Sequence, residues 1–242
     1  MTDFTDQSGD TIRFEWGERG VEALASTGTF VIVDVLSFST CVTVAVDRSA
    51  SVLPYRWDDD TAPAYAIEHG ALLAGRRGDP RARYTLSPAS LMRLDRDARL
   101  VLPSPNGSTL AFEAAQRGTV IAGCLRNRSA VAEFIDRRGG PVAIIAAGER
   151  WHDGSLRPCI EDLLGAGAII AKLKGRRSAE ADVAVAAFRD TAPRIRDVLL
   201  ACSSGRQLAE HGYARDVEIA AEIDSTAVVP ILQGNCFVPA KP

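Results

Sequence analysis

Three stretches of this sequence put acids where chemistry could use them. Val31 to Val35 reads VIVDV, so Asp34 interrupts a run that otherwise belongs in a core. A buried carboxylate without a partner is costly, and a cation or several backbone N–H donors would remove the cost. Glu149 follows a second apolar run, VAIIAAG, and Glu161 and Asp162 form a pair shortly after Pro158. Acids in the first turn of a helix are favoured by its dipole, so the pair could be purely structural. With Asp34 and Glu149 it would instead make a cluster of hard oxygen ligands. Such a cluster suits Mg2+, which takes a few carboxylates, water and substrate phosphate. His69, His152 and His211 lack zinc-ligand spacing.

Neutral polar groups follow the same kind of apolar run. Ser37, Ser39 and Thr40 come after VIVDV, Asn106, Gly107, Ser108 and Thr109 after LVLPSP, and Asn127 and Ser129 after VIAGC. Each has an ordinary reading: Ser39, Ser108 and Ser129 as helix N-caps, Asn-Gly as a turn. The Asn106 segment also suits an anion. Glycine lets a backbone approach a ligand, and a helix start offers free N–H groups.

The elements that must position these residues alternate. Apolar runs at 29–35, 51–55, 71–74, 99–102, 119–122 and 142–147 read as strands, several of them apolar throughout, as strands covered on both faces are. Helical patterns fall at 39–50, 61–70, 108–117 and 129–138. The alternation predicts a single domain over residues 1–242, an α/β fold with three α/β/α layers and a mostly parallel sheet, with residues 1–10 as a flexible tail. In such sheets ligands bind at the carboxyl ends of the strands, where the residues above gather. After Gly148 the pattern becomes helical, with Pro193 opening a new segment and a last strand at 227–232 rejoining the sheet. This helical part could form a homodimer face or simply cover the sheet. Gly165-Ala166-Gly167 reads as close helix packing, and 75–87 as a charged loop over the site or a surface excursion.

Totals narrow the function. Of 242 residues 46% are hydrophobic and 6% aromatic, enough for a core built on Ala, Val, Leu and Ile. A net charge of -3 without a basic face argues against nucleic acid and anionic membrane. Five scattered cysteines, a polar N-terminus and no membrane-length apolar run place the protein in a reducing cytoplasm. There is no Walker A loop and no Gly-x-Ser-x-Gly elbow. Leu36 stands where an Asp-x-Asp phosphatase has its second acid. Cys202-Ser203-Ser204-Gly205-Arg206 is too short for a cysteine-phosphatase loop.

Taken in order, VIVDVLSFST, LLAGRRG, LSPAS, LPSPNGST, CLRNRSAVA, AAGER, IEDLLGAGAII, SSGRQLAEHGYARDV and AAEIDSTAVVP resemble the 2-phosphosulfolactate phosphatase family. The resemblance runs from about Val31 to Pro230. It implies an α/β/α fold, Mg2+, and hydrolysis of a phosphate monoester on a small acidic metabolite, in coenzyme M synthesis. By the same resemblance Asp34, Glu161 and Asp162 match acids of the family. Ser39, Thr40, Arg77, Ser87, Asn106, Gly107, Ser108, Asn127 and Gly148 match its polar segments, and Asp216 its late aspartate. Ser37, Arg76 and Thr109 stand where the family usually has Arg, Glu and Arg.

The expectation is therefore a Mg2+-dependent phosphatase. Asp34, Glu161 and Asp162 would hold the metal, while Arg77 and the Asn106 turn would bind phosphoryl oxygens, with Ser39, Thr40, Ser87, Asn127 and Glu149 lining the site. A non-catalytic binding protein for a phosphorylated or sulfonated metabolite, and a hydrolase acting on an unphosphorylated substrate, are the rivals.

Overall fold

Two five-residue strands are buried along their whole length, Thr29–Val33 and Val142–Ala146. Their sequences, TFVIV and VAIIA, are apolar on both faces, so helices must cover both sides. That requirement organises the computed structural model, which describes residues 4–56 and 60–241.

The chain runs β1 (Ile12–Trp16), α1 (Gly17–Ala23), β2 (Thr29–Val33), α2 (Phe38–Asp47), β3 (Ser51–Tyr55), α3 (Ala62–Glu68), β4 (Leu72–Leu73), α4 (Pro88–Leu91) and β5 (Arg99–Pro103). It continues through α5 (Gly107–Ala115), β6 (Thr119–Ala122), α6 (Arg128–Arg138), β7 (Val142–Ala146), β8 (Glu149–Arg150), β9 (Leu156–Arg157) and α7 (Ile160–Ile170). Helices α8 (Ala179–Thr191), α9 (Ile195–Ala201), α10 (Ser203–Glu210) and α11 (Ala214–Ala220) precede the hairpin β10 (Pro230–Gln233) and β11 (Cys236–Pro239).

Nine strands form one mixed, mostly parallel sheet in the order β1-β7-β2-β6-β10-β11-β3-β5-β4. Strands β1, β7, β2 and β6 are mutually parallel, as are β3, β5 and β4. The antiparallel hairpin β10–β11 joins these half-sheets, each contact resting on one paired position, Ile231 with Ile121 and Phe237 with Val52. Val31 and Val33 of β2 face a core shared with α6, α7 and α8. Phe30 and Ile32 face the opposite core, with α2 and α5. Every residue of α2 from Phe38 to Val46 is buried, and its Ser39, Thr40 and Thr43 hydroxyls donate to the Ile32, Val35 and Ser39 carbonyls, as buried polar groups must. Close approach between α7 and its neighbours needs small residues: a Cβ on Gly167 would lie 2.0 Å from the Ala184 carbonyl oxygen, and one on Gly165 2.6 Å from Val35.

Several expectations are corrected. Ser39, Ser108 and Ser129 lie inside their helices rather than capping them, because each helix begins one residue or more earlier. Strand β1 precedes all the expected strands, with its register against β7 set across 130 residues of chain (Ile12 with Val142). The last strand is one arm of a hairpin inserted mid-sheet. Residues 4–10, expected as a tail, are tied down: Arg13 donates to the carbonyls of Asp6, Ser8 and Asp10, and Gln7 to that of Phe14. Residues 1–3 of that tail lie outside the described residues. No described helix is long and apolar enough to cross a membrane.

Candidate active site

The loop from the end of β2 into α2 carries Asp34. It is folded by its own polar groups. The Asp34 amide donates to Ser39 Oγ at 3.1 Å, and that hydroxyl donates to the Ile32 carbonyl at 2.8 Å. Thr40 Oγ1 donates to the Val35 carbonyl at 2.7 Å. Ser39 and Thr40 are fully buried, so their hydroxyls brace the turn rather than face a ligand. Asp34 Oδ1 accepts the Phe38 amide at 3.0 Å, the first free N–H of α2. The Leu36–Ser37 peptide within this loop is cis.

Asp162, on the first turn of α7, ties two strand ends together. One oxygen accepts the Val35 amide beyond β2 and the other the Gly148 amide beyond β7, both at 2.8 Å. Glu161 beside it is equally buried and accepts from Cys202 Sγ at 3.3 Å. The Cys202 thiol is pushed up to about 12, by burial first and by Glu161 next, so it remains a neutral donor. A reactive thiolate needs the opposite shift.

The cluster is short of positive charge. Asp34, Glu161 and Asp162 are each at most 7% exposed. Among the described residues no Arg, Lys or His pairs with any of them. Burial pushes Asp34 up to about 7, and the Glu149 and Glu161 carboxylates add to the shift against the Phe38 and Gly107 amides. Asp162 is also raised, by burial first and then by Asp34 and Glu161. Such a donor set fits a hard cation. Among the described residues no three His, Cys, Asp or Glu side chains are arranged around one ion. A cation would therefore take one or two carboxylates and complete its shell with water and substrate oxygen, the habit of Mg2+.

Asn106 and Gly107 start α5 against this loop. A Cβ on Gly107 would lie 2.3 Å from Phe38 Cδ1, so only glycine lets α5 meet α2 here. Ser108 is fully buried and serves the sheet: it accepts the Tyr55 amide and donates to the Leu102 carbonyl. Asn127 is likewise spent. Its Oδ1 accepts the Cys124 amide, and its Nδ2 meets Thr43, Ala122 and Val228.

Arg77 reaches the site from the loop after β4. Its Nη2 donates to Ser37 Oγ at 2.7 Å and to Asp216 at 3.3 Å, and its guanidinium lies 5.4 Å from the Tyr213 ring centre. Asp216 also accepts Ser87 Oγ at 2.6 Å and the Ala89 amide. Glu149, exposed at the root of the β8–β9 hairpin, borders two cavities. One, of about 220 Å³, includes Trp16, Asn106 and Arg150. The other, of about 480 Å³, includes Leu36, Arg77, His211 and Tyr213.

Asp34, Glu161, Asp162, Glu149, Asn106, Gly107 and Arg77 thus gather around the end of β2. Ser39, Thr40 and Ser108 brace that region from within, Ser87 stands behind Arg77 with Asp216, and Asn127 is turned into the core. Ser37, read in sequence as one of the polar groups after β2, joins the site as the partner of Arg77, and Cys202 and Tyr213 join it although sequence reasoning assigned them no part. Cys202 and Tyr213 lie more than 160 residues from Asp34, and only tertiary structure brings them in.

The sequence profile of the 2-phosphosulpholactate phosphatase family matches residues 18–235. The 2-phosphosulfolactate phosphatase of Methanothermobacter thermautotrophicus is 31% identical over 206 residues, covering 85% of this chain and 87% of that protein. A protein of Carboxydothermus hydrogenoformans named probable 2-phosphosulfolactate phosphatase is 30% identical over 83% of this chain and 84% of its own. One of the same name from Thermus thermophilus is 28% identical over 88% and 92%.

Proposed function

Because this chain belongs to the 2-phosphosulpholactate phosphatase family, we propose that it is a Mg2+-dependent phosphoric monoester hydrolase. Its substrate would be a small acidic metabolite of the 2-phosphosulfolactate kind. The observation that carries the reading is the set of three buried carboxylates, Asp34, Glu161 and Asp162, with no basic partner among the described residues. Three acids without a counter-charge are costly to bury unless a cation belongs there.

Asp34 and Glu161 would hold the ion, and Asp162 would fix the distance between the ends of β2 and β7 through its two amide bonds. A bound Mg2+ supplies charge neutralisation on the transferring phosphoryl group and orientation of the attacking water. Arg77 and Asn106 flank that position and would bind phosphoryl oxygens, a planar guanidinium being well shaped for the task. Glu149, between the two cavities, would direct the ester so that its acidic tail lies on one side. Release of sulfolactate would serve a coenzyme M-type route. Five free cysteines suit a reducing cytoplasm.

The test is phosphate release from phosphosulfolactate and a panel of small phosphate monoesters, with Mg2+ and then with chelator. Turnover that disappears with chelator and returns with Mg2+ is expected. A folded protein that binds these esters without releasing phosphate from any of them would favour the binding-protein reading. Release from all of them regardless of chelator would remove the metal.

A further inference from the structure

We propose that Ser37 is a positioning residue that aims Arg77 at an oxyanion of the ligand. The proposal rests on the phosphatase reading and adds to it a residue that touches neither metal nor ester.

Arginine carries five N–H donors. In this site Nη2 alone takes the protein acceptors, Ser37 Oγ and Asp216 Oδ2. Nε is buried without a partner, and among the described residues Nη1 meets no acceptor. An arginine with unspent donors beside a cavity is matched to an anion, because buried donors without acceptors are costly. The direction of the fork is fixed from three sides. Ser37 holds one edge at 2.7 Å, Asp216 holds the same nitrogen at 3.3 Å, and Tyr213 supports the guanidinium at 5.4 Å from its ring centre. Asp216 is itself immobilised by Ser87 and Ala89. Ser37 is the shortest of these contacts and the one directly before α2, three residues from Asp34. It therefore fixes Arg77 relative to the carboxylate cluster, whereas Asp216 and Tyr213 fix it relative to α11. The ligand group is an oxyanion, supplied either by the phosphoryl group or by the acidic tail.

A double-mutant cycle tests this, with inorganic phosphate and sulfolactate as inhibitors and Mg2+ affinity measured by calorimetry. Ser37→Ala should weaken one inhibitor about tenfold and raise KM while Mg2+ affinity moves less than twofold, and Ser37→Thr should recover most of the loss. In an Arg77→Ala background, or Arg77→Lys if the alanine variant does not fold, the Ser37 change should cost less than twofold, since its effect passes through Arg77. Loss confined to phosphate assigns the phosphoryl group, and loss confined to sulfolactate assigns the tail. A tenfold effect that survives in the Arg77 variants, or no effect of Ser37→Ala, overturns the proposal. A wild-type protein that neither binds Mg2+ nor releases phosphate overturns the underlying reading as well, a result distinct from either.

Discussion

The half-sheet β1-β7-β2-β6 and the half-sheet β3-β5-β4 are built alike, from parallel apolar strands under helices, yet they end differently. The first runs into Asp34 beyond β2 and into the Gly148 amide that Asp162 holds beyond β7. The second runs into groups that find partners: the Tyr55 amide meets Ser108, Arg56 just beyond β3 pairs with Glu113 at 3.0 Å, and Arg77 beyond β4 pairs with Asp216. The second half shows that the architecture closes its strand ends without unpaired buried acids. The acids of the first half are therefore a cost the fold does not require, and function is the reason to carry it. The two halves should respond in opposite ways to mutation.

Asp34→Asn gives the largest separation. Turnover should fall roughly a thousandfold, about 4 kcal/mol of transition-state stabilisation, because the carboxylate proposed to hold the ion becomes neutral. The same change should raise the melting temperature of the metal-free protein at pH 8, since it removes a charge from a crowded, buried cluster. Phosphate release and calorimetry on one preparation check both. A variant that loses stability along with activity would break the comparison.

Leu53→Ala is the counterpart in the other half. Leu53 is fully exposure-free and packs with Ala66 and Val101. Its truncation should cost about 3 kcal/mol in urea unfolding, with kcat and KM within about twofold of wild type. Gly107→Ala acts where the two halves meet, at the end of the connection from β5 to α5. A Cβ 2.3 Å from Phe38 must displace α2 or α5, which should cost about 2 kcal/mol. Unlike Leu53→Ala it should also reduce turnover, because the Gly107 amide favours the charged Asp34 carboxylate.

The same division governs what the sequence makes legible. Strands β2, β3, β6 and β7 are visible because each is short, apolar and bounded by turn residues, and Asp34 stands out because it breaks one of them. Neither half-sheet's direction relative to the other is visible, since it depends on a C-terminal hairpin that enters the middle of the sheet. Strand β1, IRFEW, alternates polar and apolar residues at the sheet edge and lacks the continuous run that marks its neighbours. Within the site, residue type is legible and residue role is not. Asp162 and Ser108 both look available for a ligand in sequence. Their partners, the amides of Val35 and Gly148 and of Tyr55, lie 14 to 127 positions away and turn them into braces. Ser37 is the reverse case, a small residue whose use is set by Arg77, 40 positions on.

The smallest predicted effect sharpens the comparison most, because it isolates charge from shape. Asp34 is raised to about 7 by burial and by the nearby Glu149 and Glu161, and Asp162 is raised as well. An unfolded aspartate titrates near 4. Between those values the folded, metal-free protein holds more protons than the unfolded chain, so its stability falls as pH rises. The contribution is fully present below about pH 4 and lost as pH passes through 7. Melting temperature in chelator should therefore decline by several degrees from pH 5 to pH 8. Mg2+ favours the ionised carboxylates, so the stabilisation it gives should be near zero at pH 5 and largest at pH 8. Leu53→Ala should lower the whole curve without changing its slope, whereas Asp34→Asn should flatten it. A slope that survives Asp34→Asn undiminished would place the titrating charge elsewhere and leave Asp34 no different from the partnered strand ends of the other half.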